Sequence, residues 1–313
     1  MGSLNNGQSI SQDSKTTKHI GPHIEVSNTK TDSVEGTKSL ETPNYNPRLP
    51  VGIEDCAIWM DAADNDTIVK SDGKITLWTD KSSNGLAFAP ILRRHGPTLS
   101  NINGVQAVNF YQPNIEFLQN TSIPTGLFIR NEYECFIMYQ ATKKQGQVSS
   151  VFCGGSSVGG IQRGFILEFV NLSGLDYINH HIYVDYANAI DDDYEDSIIN
   201  IAGLTTDIEI QYTPTKTPRI MRFRTTGSPN ANSADFQINE TVYPVTPHAT
   251  PFVFTNTFDV LTIGGGGLNS GSTCPYYLFN GNIGEIVIYN RSLTTEERTS
   301  VYTYLKTKWG LIW

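Results

Sequence analysis

The segment from Phe279 to Trp313 constrains the fold more than any other part of the chain. It reads FNGNIGEIVIYNRSLTTEERTSVYTYLKTKWGLIW. Between Ile283 and Asn290, both alternating sets of residues are largely apolar. Two apolar faces are typical of a strand buried within a packed sheet, so this part predicts a central strand.

The residues after this strand predict one helix that closes the chain. Thr294 is placed as the N-cap, and Glu297 three residues later completes a capping box. Gly310 supplies the stop. One apolar stripe recurs at spacings of four residues: Val301, Leu305 and Trp309. We therefore expect β sequence that ends in a single amphipathic helix.

The middle of the chain has the composition of an all-β domain. Aromatic and β-branched residues come in short runs, which Gly, Pro and Asn separate. The runs that predict strands are Val105 to Phe110, Tyr133 to Tyr139, Phe165 to Val170, His181 to Tyr186, Asp207 to Tyr212, Ile220 to Thr225, Asp235 to Asn239 and Val260 to Ile263. This number of strands predicts two antiparallel sheets packed face to face.

Three groups of residues form motifs. The C-terminal group comprises Phe279, Gly281, Ile283, Glu285, Tyr289-Asn290-Arg291, Leu293-Thr294, Glu297-Arg298, Tyr304-Leu305 and Lys308 to Leu311. The second group comprises Ile58-Trp59-Met60-Asp61-Ala62 and Leu77 to Gly85. The third is the strand and turn from Phe236 to Glu240.

Together these motifs resemble the laminin-G-like domains of the concanavalin A-like lectin and glucanase superfamily, over Leu49 to Trp313. The resemblance implies an all-β, two-sheet antiparallel jelly-roll sandwich with one C-terminal α-helix. Glu240 stands where the family has Gly, which predicts a different hairpin turn at that position.

Residues 1–48 differ from the β-sandwich domain expected over residues 49–313. They are rich in Ser, Thr, Asn, Lys and Gly, and no aromatic residue precedes Tyr45. Such a segment buries too little apolar surface to offset its ordering entropy. We expect either a disordered tail or an extended N-terminal arm that neighbouring protein subunits hold in place.

Charge and cysteine content exclude several classes of function. The net charge is −9, and Arg222 and Arg224 share one strand face, which predicts a solvated stripe, so we expect no nucleic acid partner. No apolar run has membrane-spanning length, and no signal-peptide core follows Met1, so we expect no membrane insertion. The four cysteines are Cys56, Cys135, Cys153 and Cys274. They form no CxxC pair, which argues against a zinc site. We favour free thiols, and a disulfide between any two of them stays open as the alternative.

The superfamily contains glycosidases, which carry alternating carboxylates on one strand. The nearest match is Asp207-Ile208-Glu209-Ile210-Gln211, whose third position is Gln. Gln cannot act as a general acid, and glycoside hydrolysis takes two carboxylates. We predict that the protein is not an enzyme. The alternative is a polysaccharide-cleaving glycoside hydrolase of the same fold with a degenerate carboxylate motif.

Two clusters of side chains are candidate binding residues. Tyr183, Tyr186, Tyr194 and Tyr276 are candidate stacking platforms for sugar rings, with burial in the core as the alternative. Asp191, Asp193 and Glu195 lie in an acidic run that offers oxygen ligands for Ca²⁺, with a solvated acidic loop as the alternative. Apart from Ca²⁺ at this candidate site, we expect no cofactor.

These observations favour a non-catalytic recognition or structural module that binds glycan or protein partners. The absent signal peptide and the polar arm favour a surface or capsid-associated component of a virus particle. The expected location is a virion or other assembled particle surface, with export by a route independent of a signal peptide as the alternative.

Overall fold

The computed structural model describes residues 50–91, 96–127, 132–141, 148–158, 161–172, 175–187, 205–206, 217–226, 234–244, 258–265 and 278–313. The whole predicted arm, residues 1–48, lies outside the described residues. The arm therefore stays a prediction.

Seventeen strands and one α-helix follow one another along the described residues. The strands are β1 (Cys56–Asp61), β2 (Ile68–Ser71), β3 (Lys74–Thr79), β4 (Ala87–Phe88), β5 (Thr98–Ile102), β6 (Val105–Phe110), β7 (Leu118–Asn120), β8 (Glu132–Ala141), β9 (Val148–Val158), β10 (Ile161–Leu172), β11 (Leu175–Ala187), β12 (Thr205–Thr206), β13 (Arg219–Thr226), β14 (Ala234–Ile238), β15 (Thr241–Pro244), β16 (Val260–Ile263) and β17 (Gly281–Tyr289). The helix is α1 (Thr295–Lys308).

The strands form two sheets. The larger sheet has eleven strands and follows the order β15-β14-β13-β8-β17-β6-β5-β3-β2, with β1 also paired to β17 and β4 to β3. The smaller sheet has six, in the order β12-β11-β10-β9-β16-β7. The paired strands are antiparallel in both sheets. The predicted all-β sandwich with one C-terminal helix is confirmed.

Strand β17 is central because it packs against apolar residues on both faces. All nine of its residues are buried. Ile286 and Ile288 belong to the core cluster that also includes Phe152 and Leu261 of the smaller sheet. Val287 belongs to the cluster that α1 covers. This two-sided burial explains why most residues on both faces of the strand are apolar.

The helix α1 forms as predicted. The hydroxyl of Thr294 accepts a hydrogen bond from the Glu297 amide, and the Glu297 side chain accepts one from the Thr294 amide. The three stripe residues are fully buried against the larger sheet: Val301, Leu305 and Trp309. Gly310 ends the helix with a φ of +60°, a conformation that favours glycine.

The turn of the β14–β15 hairpin contains one residue with left-handed backbone. Asn239 has a φ of 55°, and Glu240 is outside the left-handed region. At the β5–β6 turn, by contrast, Asn103 and Gly104 both have positive φ, at 51° and 84°. A side chain at Glu240 is therefore accommodated, and its carboxylate lies 2.6 Å from Nζ of Lys306 on α1.

Candidate functional site

The predicted binding residues lie mostly outside the described part of the chain. This holds for Tyr194, Tyr276, Asp191, Asp193 and Glu195, and for the carboxylate strand that begins at Asp207. These predictions stay predictions.

Tyr183 and Tyr186 lie in β11, where they pair in register with Gly164 and Gln162 of β10. Their side chains are not among the described ones. Within the residues that the structure describes, no group of three or more His, Cys, Asp or Glu side chains is placed to hold a metal ion. Over the same residues, no helix combines the length and apolarity that crossing a membrane would take.

The motif residues of the sequence meet around one buried carboxylate, Glu285 of β17. Glu285 Oε1 accepts hydrogen bonds from Trp59 Nε1 (2.7 Å) and the Tyr304 hydroxyl (2.8 Å). Its Oε2 accepts from Lys308 Nζ (2.7 Å) and Trp309 Nε1 (3.0 Å). Burial raises the pKa of Glu285, and Lys308 opposes the rise. A buried carboxylate with four donors ties α1 to the sheet.

Asp61, at the end of β1, extends this network. It accepts hydrogen bonds from Lys308 Nζ (2.6 Å) and Lys81 Nζ (3.1 Å). Lys81 also pairs with Asp64 at 2.7 Å and lies 4.2 Å from the ring centroid of Trp59. Each cation is thus shared between carboxylates, and the network joins three separate motif segments.

The loop after β3 is held by Asp80. Its carboxylate accepts hydrogen bonds from the backbone amides of Trp59 (2.6 Å) and Ser82 (2.9 Å) and from the Ser82 hydroxyl (2.5 Å). Burial raises the pKa of Asp80, and these hydrogen bonds oppose the rise. Because every polar atom named here bonds within the protein, the motifs have a structural role in the fold.

A second buried carboxylate, Glu134 of β8, anchors the start of the helix. It accepts hydrogen bonds from Arg298 Nε (2.5 Å), Arg222 Nη1 (3.0 Å) and the Leu293 amide (2.9 Å). Arg222 also pairs with Asp235. The arginine stripe predicted on β13 is therefore an internal ion-pair cluster, and Arg222 is buried where the sequence indicated a solvated stripe.

A different feature of the larger sheet is a row of polar side chains. Five polar residues on five adjacent strands pair in one continuous register, from β3 through β5, β6 and β17 to β8. We call these residues the amide row: Lys74, Thr98, Asn109, Asn282 and Gln140.

The amide row lies on the face of the larger sheet that also carries α1. Val108 and Phe110, which flank Asn109, both belong to the core between the sheets. Alternation therefore puts Asn109 on the opposite face. Gly284, which lies under the Trp309 ring, is two residues from Asn282. The row thus runs beside the area that the helix covers.

Hydrogen bonds link the amides across the strands. Asn109 Nδ2 donates to Asn282 Oδ1 at 2.7 Å, and Asn282 Nδ2 donates to Gln140 Oε1 at 2.9 Å. Asn282 is 4% exposed, whereas Asn109 and Gln140 are partly exposed. Each amide group carries two donor hydrogens and an acceptor oxygen. The chain of amides therefore holds a preset pattern of donors and acceptors.

The Lys74 end of the row is built around Glu116, which is 1% exposed. Its Oε1 accepts from Lys74 Nζ at 2.6 Å, and its Oε2 accepts from the Tyr111 amide at 2.9 Å. Tyr111 follows β6 with extended backbone (φ −120°, ψ 104°), so alternation gives it the same face as Asn109. An aromatic side chain, 37% exposed, thus borders the row.

The turn that carries Tyr111 is strained. Ile115 has left-handed backbone (φ 57°, ψ 48°), which is unusual for a β-branched residue and costs of order 1–3 kcal/mol. Its amide donates to the Gln112 carbonyl at 3.0 Å, and its side chain is 43% exposed. Strain of this kind clusters at ligand-binding sites.

Sequence reasoning missed the amide row. The residues Asn109, Asn282 and Gln140 each stand between two buried residues of a strand. In the C-terminal motif, Asn282 falls at a variable position between Gly281 and Ile283. The available signal in the sequence was a side-chain amide between two buried residues of a strand. Only the pairing of β6, β17 and β8 shows that these amides are neighbours.

No protein-family model matches the sequence, and no curated protein matches it. Several solved structures are similar in fold. One is a carbohydrate-binding module (CBM40) of a Ruminococcus gnavus sialidase bound to α2,6 sialyllactose, with 15% identity, 55% of this chain and 82% of that chain covered, and a TM-score of 0.38.

Two further neighbours cover more of this chain. Domain 4 of a GH43 extracellular arabinanase from Geobacillus stearothermophilus, in complex with arabinotriose, has 14% identity over 80% of this chain and 98% of that one, with a TM-score of 0.46. Trypanosoma rangeli sialidase in complex with sialic acid has 10% identity over 82% of this chain and 34% of that one, with a TM-score of 0.45. At these values, the similarity carries no argument about what this chain binds.

Proposed function

We propose that this chain is a non-catalytic recognition module that binds glycan at the amide row. The observation that supports the proposal is the continuous register of polar side chains across five strands, on the face of the larger sheet that α1 partly covers. Sugar hydroxyls both donate and accept hydrogen bonds, as amide groups do. Tyr111 offers an aromatic surface beside the row.

The chemistry of the row favours binding over cleavage. Its five side chains are amides, one hydroxyl and one amine, and the carboxylate that contacts it, Glu116, is engaged by Lys74 and by the Tyr111 amide. Hydrolysis of a glycosidic bond takes two carboxylates at the bond. A cleaving enzyme of this fold would have to use other carboxylates, for which Asp207 and Glu209 are the sequence-based candidates.

The wider setting is part of the same proposal. The motif resemblance over residues 49–313 supports a laminin-G-like module, and the composition of residues 1–48 supports an arm that contacts neighbouring subunits on a virion or other particle surface. Hydrogen exchange tests the arm. Amides of residues 1–48 are expected to exchange more slowly in the assembled particle than in the isolated protein, and equal rates would contradict the arm.

A glycan array compares the wild-type chain with two row variants, Asn109→Ala and Gln140→Ala. Each variant removes one side chain that contacts the ligand in the proposal. Loss of two hydrogen bonds at about 1 kcal/mol each weakens binding about 30-fold. The matched control is Asn101→Ala. Asn101 is an exposed residue of β5, and its spacing from Thr98 puts its side chain on the opposite face of the sheet.

Binding that all three variants retain would place the glycan elsewhere, and an array without any bound glycan would contradict the proposal. Incubation with the bound glycan tests catalysis separately. No release of reducing ends is expected, and release that Glu209→Gln abolishes would favour the enzyme alternative.

A further inference from the structure

We infer that the ligand is an uncharged, linear oligosaccharide that lies across the strands, with its chain along the amide row. This inference rests on the proposed function and adds the chemical class, length and direction of the ligand. It comes from the geometry and charge of the row and from the turn at its Lys74 end.

The length of the ligand follows from the register. The row includes one residue from each of five adjacent strands, so it spans four inter-strand steps. Neighbouring strands are about 4.8 Å apart, which gives a row of roughly 19 Å. A pyranose unit in an extended chain is about as long as one such step. The row is thus long enough for about four sugar units.

The charge of the ligand follows from Lys74 and Glu116. Lys74 supplies the single positive charge of the row, and Glu116 neutralises it at 2.6 Å. Glu116 is buried and also accepts from the Tyr111 amide and from Asn114 Nδ2, so it is held in place. An anionic sugar would have to compete with this carboxylate for Lys74. The remaining members of the row are neutral, which favours a neutral ligand.

The strained turn fixes an aromatic side chain beside the middle strand of the row, because Tyr111 directly follows β6. Left-handed Ile115 and buried Glu116 fix the backbone of the turn, and Glu116 accepts from the amide of Tyr111. The Tyr111 side chain is thereby set on the same face as Asn109. A sugar ring near the middle of the bound oligosaccharide would stack on this aromatic surface, which costs little ordering entropy because the turn is already rigid.

Calorimetry on the full chain tests the inference with oligosaccharide ladders of two to six units. The neutral ladders are β-1,4-linked glucose, β-1,4-linked N-acetylglucosamine and α-1,5-linked arabinose, and sialyllactose is the acidic trisaccharide. In at least one neutral ladder, affinity is expected to rise severalfold with each unit up to about four units and then level off. Sialyllactose is expected to bind no more tightly than the neutral trisaccharide.

Variants test where the oligosaccharide lies. Tyr111→Ala, beside the middle of the row, is expected to weaken the affinity for the four-unit ligand at least fivefold, and Gln140→Ala, at one end of the row, likewise. A two-unit ligand covers only part of the row, so at least one of the two variants is expected to weaken its binding less than that of the four-unit ligand. Asn101→Ala is the control, and thermal unfolding verifies that each variant is folded.

The outcomes separate the inference from the proposed function. Equal affinity for two and six units, or tighter binding of sialyllactose than of the neutral trisaccharide, would overturn the inference while the glycan-binding function stands. If neither the ladders nor the array detects any bound glycan, the proposed function fails and the inference fails with it.

Discussion

Lys308, the last residue of α1, donates a hydrogen bond to Glu285 in the middle of β17 over 2.7 Å. The same ammonium group donates to Asp61 of β1 at 2.6 Å. One cation thus joins the end of the helix to two strands. Because Glu285 is fully buried, the pair depends on both partners being present.

The substitution Glu285→Gln should destabilise the fold by about 3–5 kcal/mol, because it removes one partner of a buried ion pair. It also replaces one acceptor oxygen by an amide nitrogen, which cannot accept the hydrogen bond from Trp59 or Trp309. Chemical unfolding measures the loss. Glu240→Gln is the control, because the Glu240–Lys306 pair is solvent-exposed and should contribute less than about 1 kcal/mol. Equal losses for both variants would contradict the role of Glu285.

Gly284→Ala should destabilise the protein by about 1–3 kcal/mol through overpacking. A Cβ at this position would lie 2.6 Å from Cη2 of Trp309, whose ring is held by the Glu285 hydrogen bond. A double-mutant cycle with Trp309→Ala verifies the cause. In the Trp309→Ala background, Gly284→Ala should lower the free energy of unfolding much less. An unchanged loss would show that the added Cβ does not clash with the Trp309 ring.

Stability should fall at acidic pH through Glu297. The hydrogen bonds from Arg291, at 2.7 Å, lower the pKa of Glu297 from 4.5 to about 2. A lowered pKa in the folded state contributes stability that is present above pH 4.5 and is lost as pH falls towards 2. The difference in unfolding free energy between the wild type and Glu297→Gln should therefore shrink over this window. Glu296→Gln, which lacks the Arg291 pair, should show a smaller change.

The thiols of Cys56 and Cys135 should be unreactive in the folded protein. Both are buried. Burial raises the pKa of each thiol, and the charge of Asp80 adds to the rise at Cys56. Little reactive thiolate therefore forms near neutral pH. Alkylation followed by peptide mapping should label both only after unfolding in denaturant. Rapid labelling of either residue in the native protein would contradict its burial.

Part of the fold could be predicted because its signals are local. The capping box of Thr294 and Glu297, the stripe through Leu305 and the two apolar faces of β17 each depend on residues within a few positions of one another. Helix and strand periodicities are short-range properties, so a single sequence reveals them. The all-β class and the closing helix follow from such patterns.

The sequence alone thus determined that strands such as β6, β8 and β17 form, that both faces of β17 are buried and that one amphipathic helix follows it. Tertiary structure decided which polar residues meet. Trp59 and Glu285 are 226 residues apart in the chain, and Asn109 and Asn282 are 173 apart. Periodicity gives the face of a residue but not its register with a distant strand, because register depends on how all the strands pack together. The amide row exists only once β6, β17 and β8 are paired.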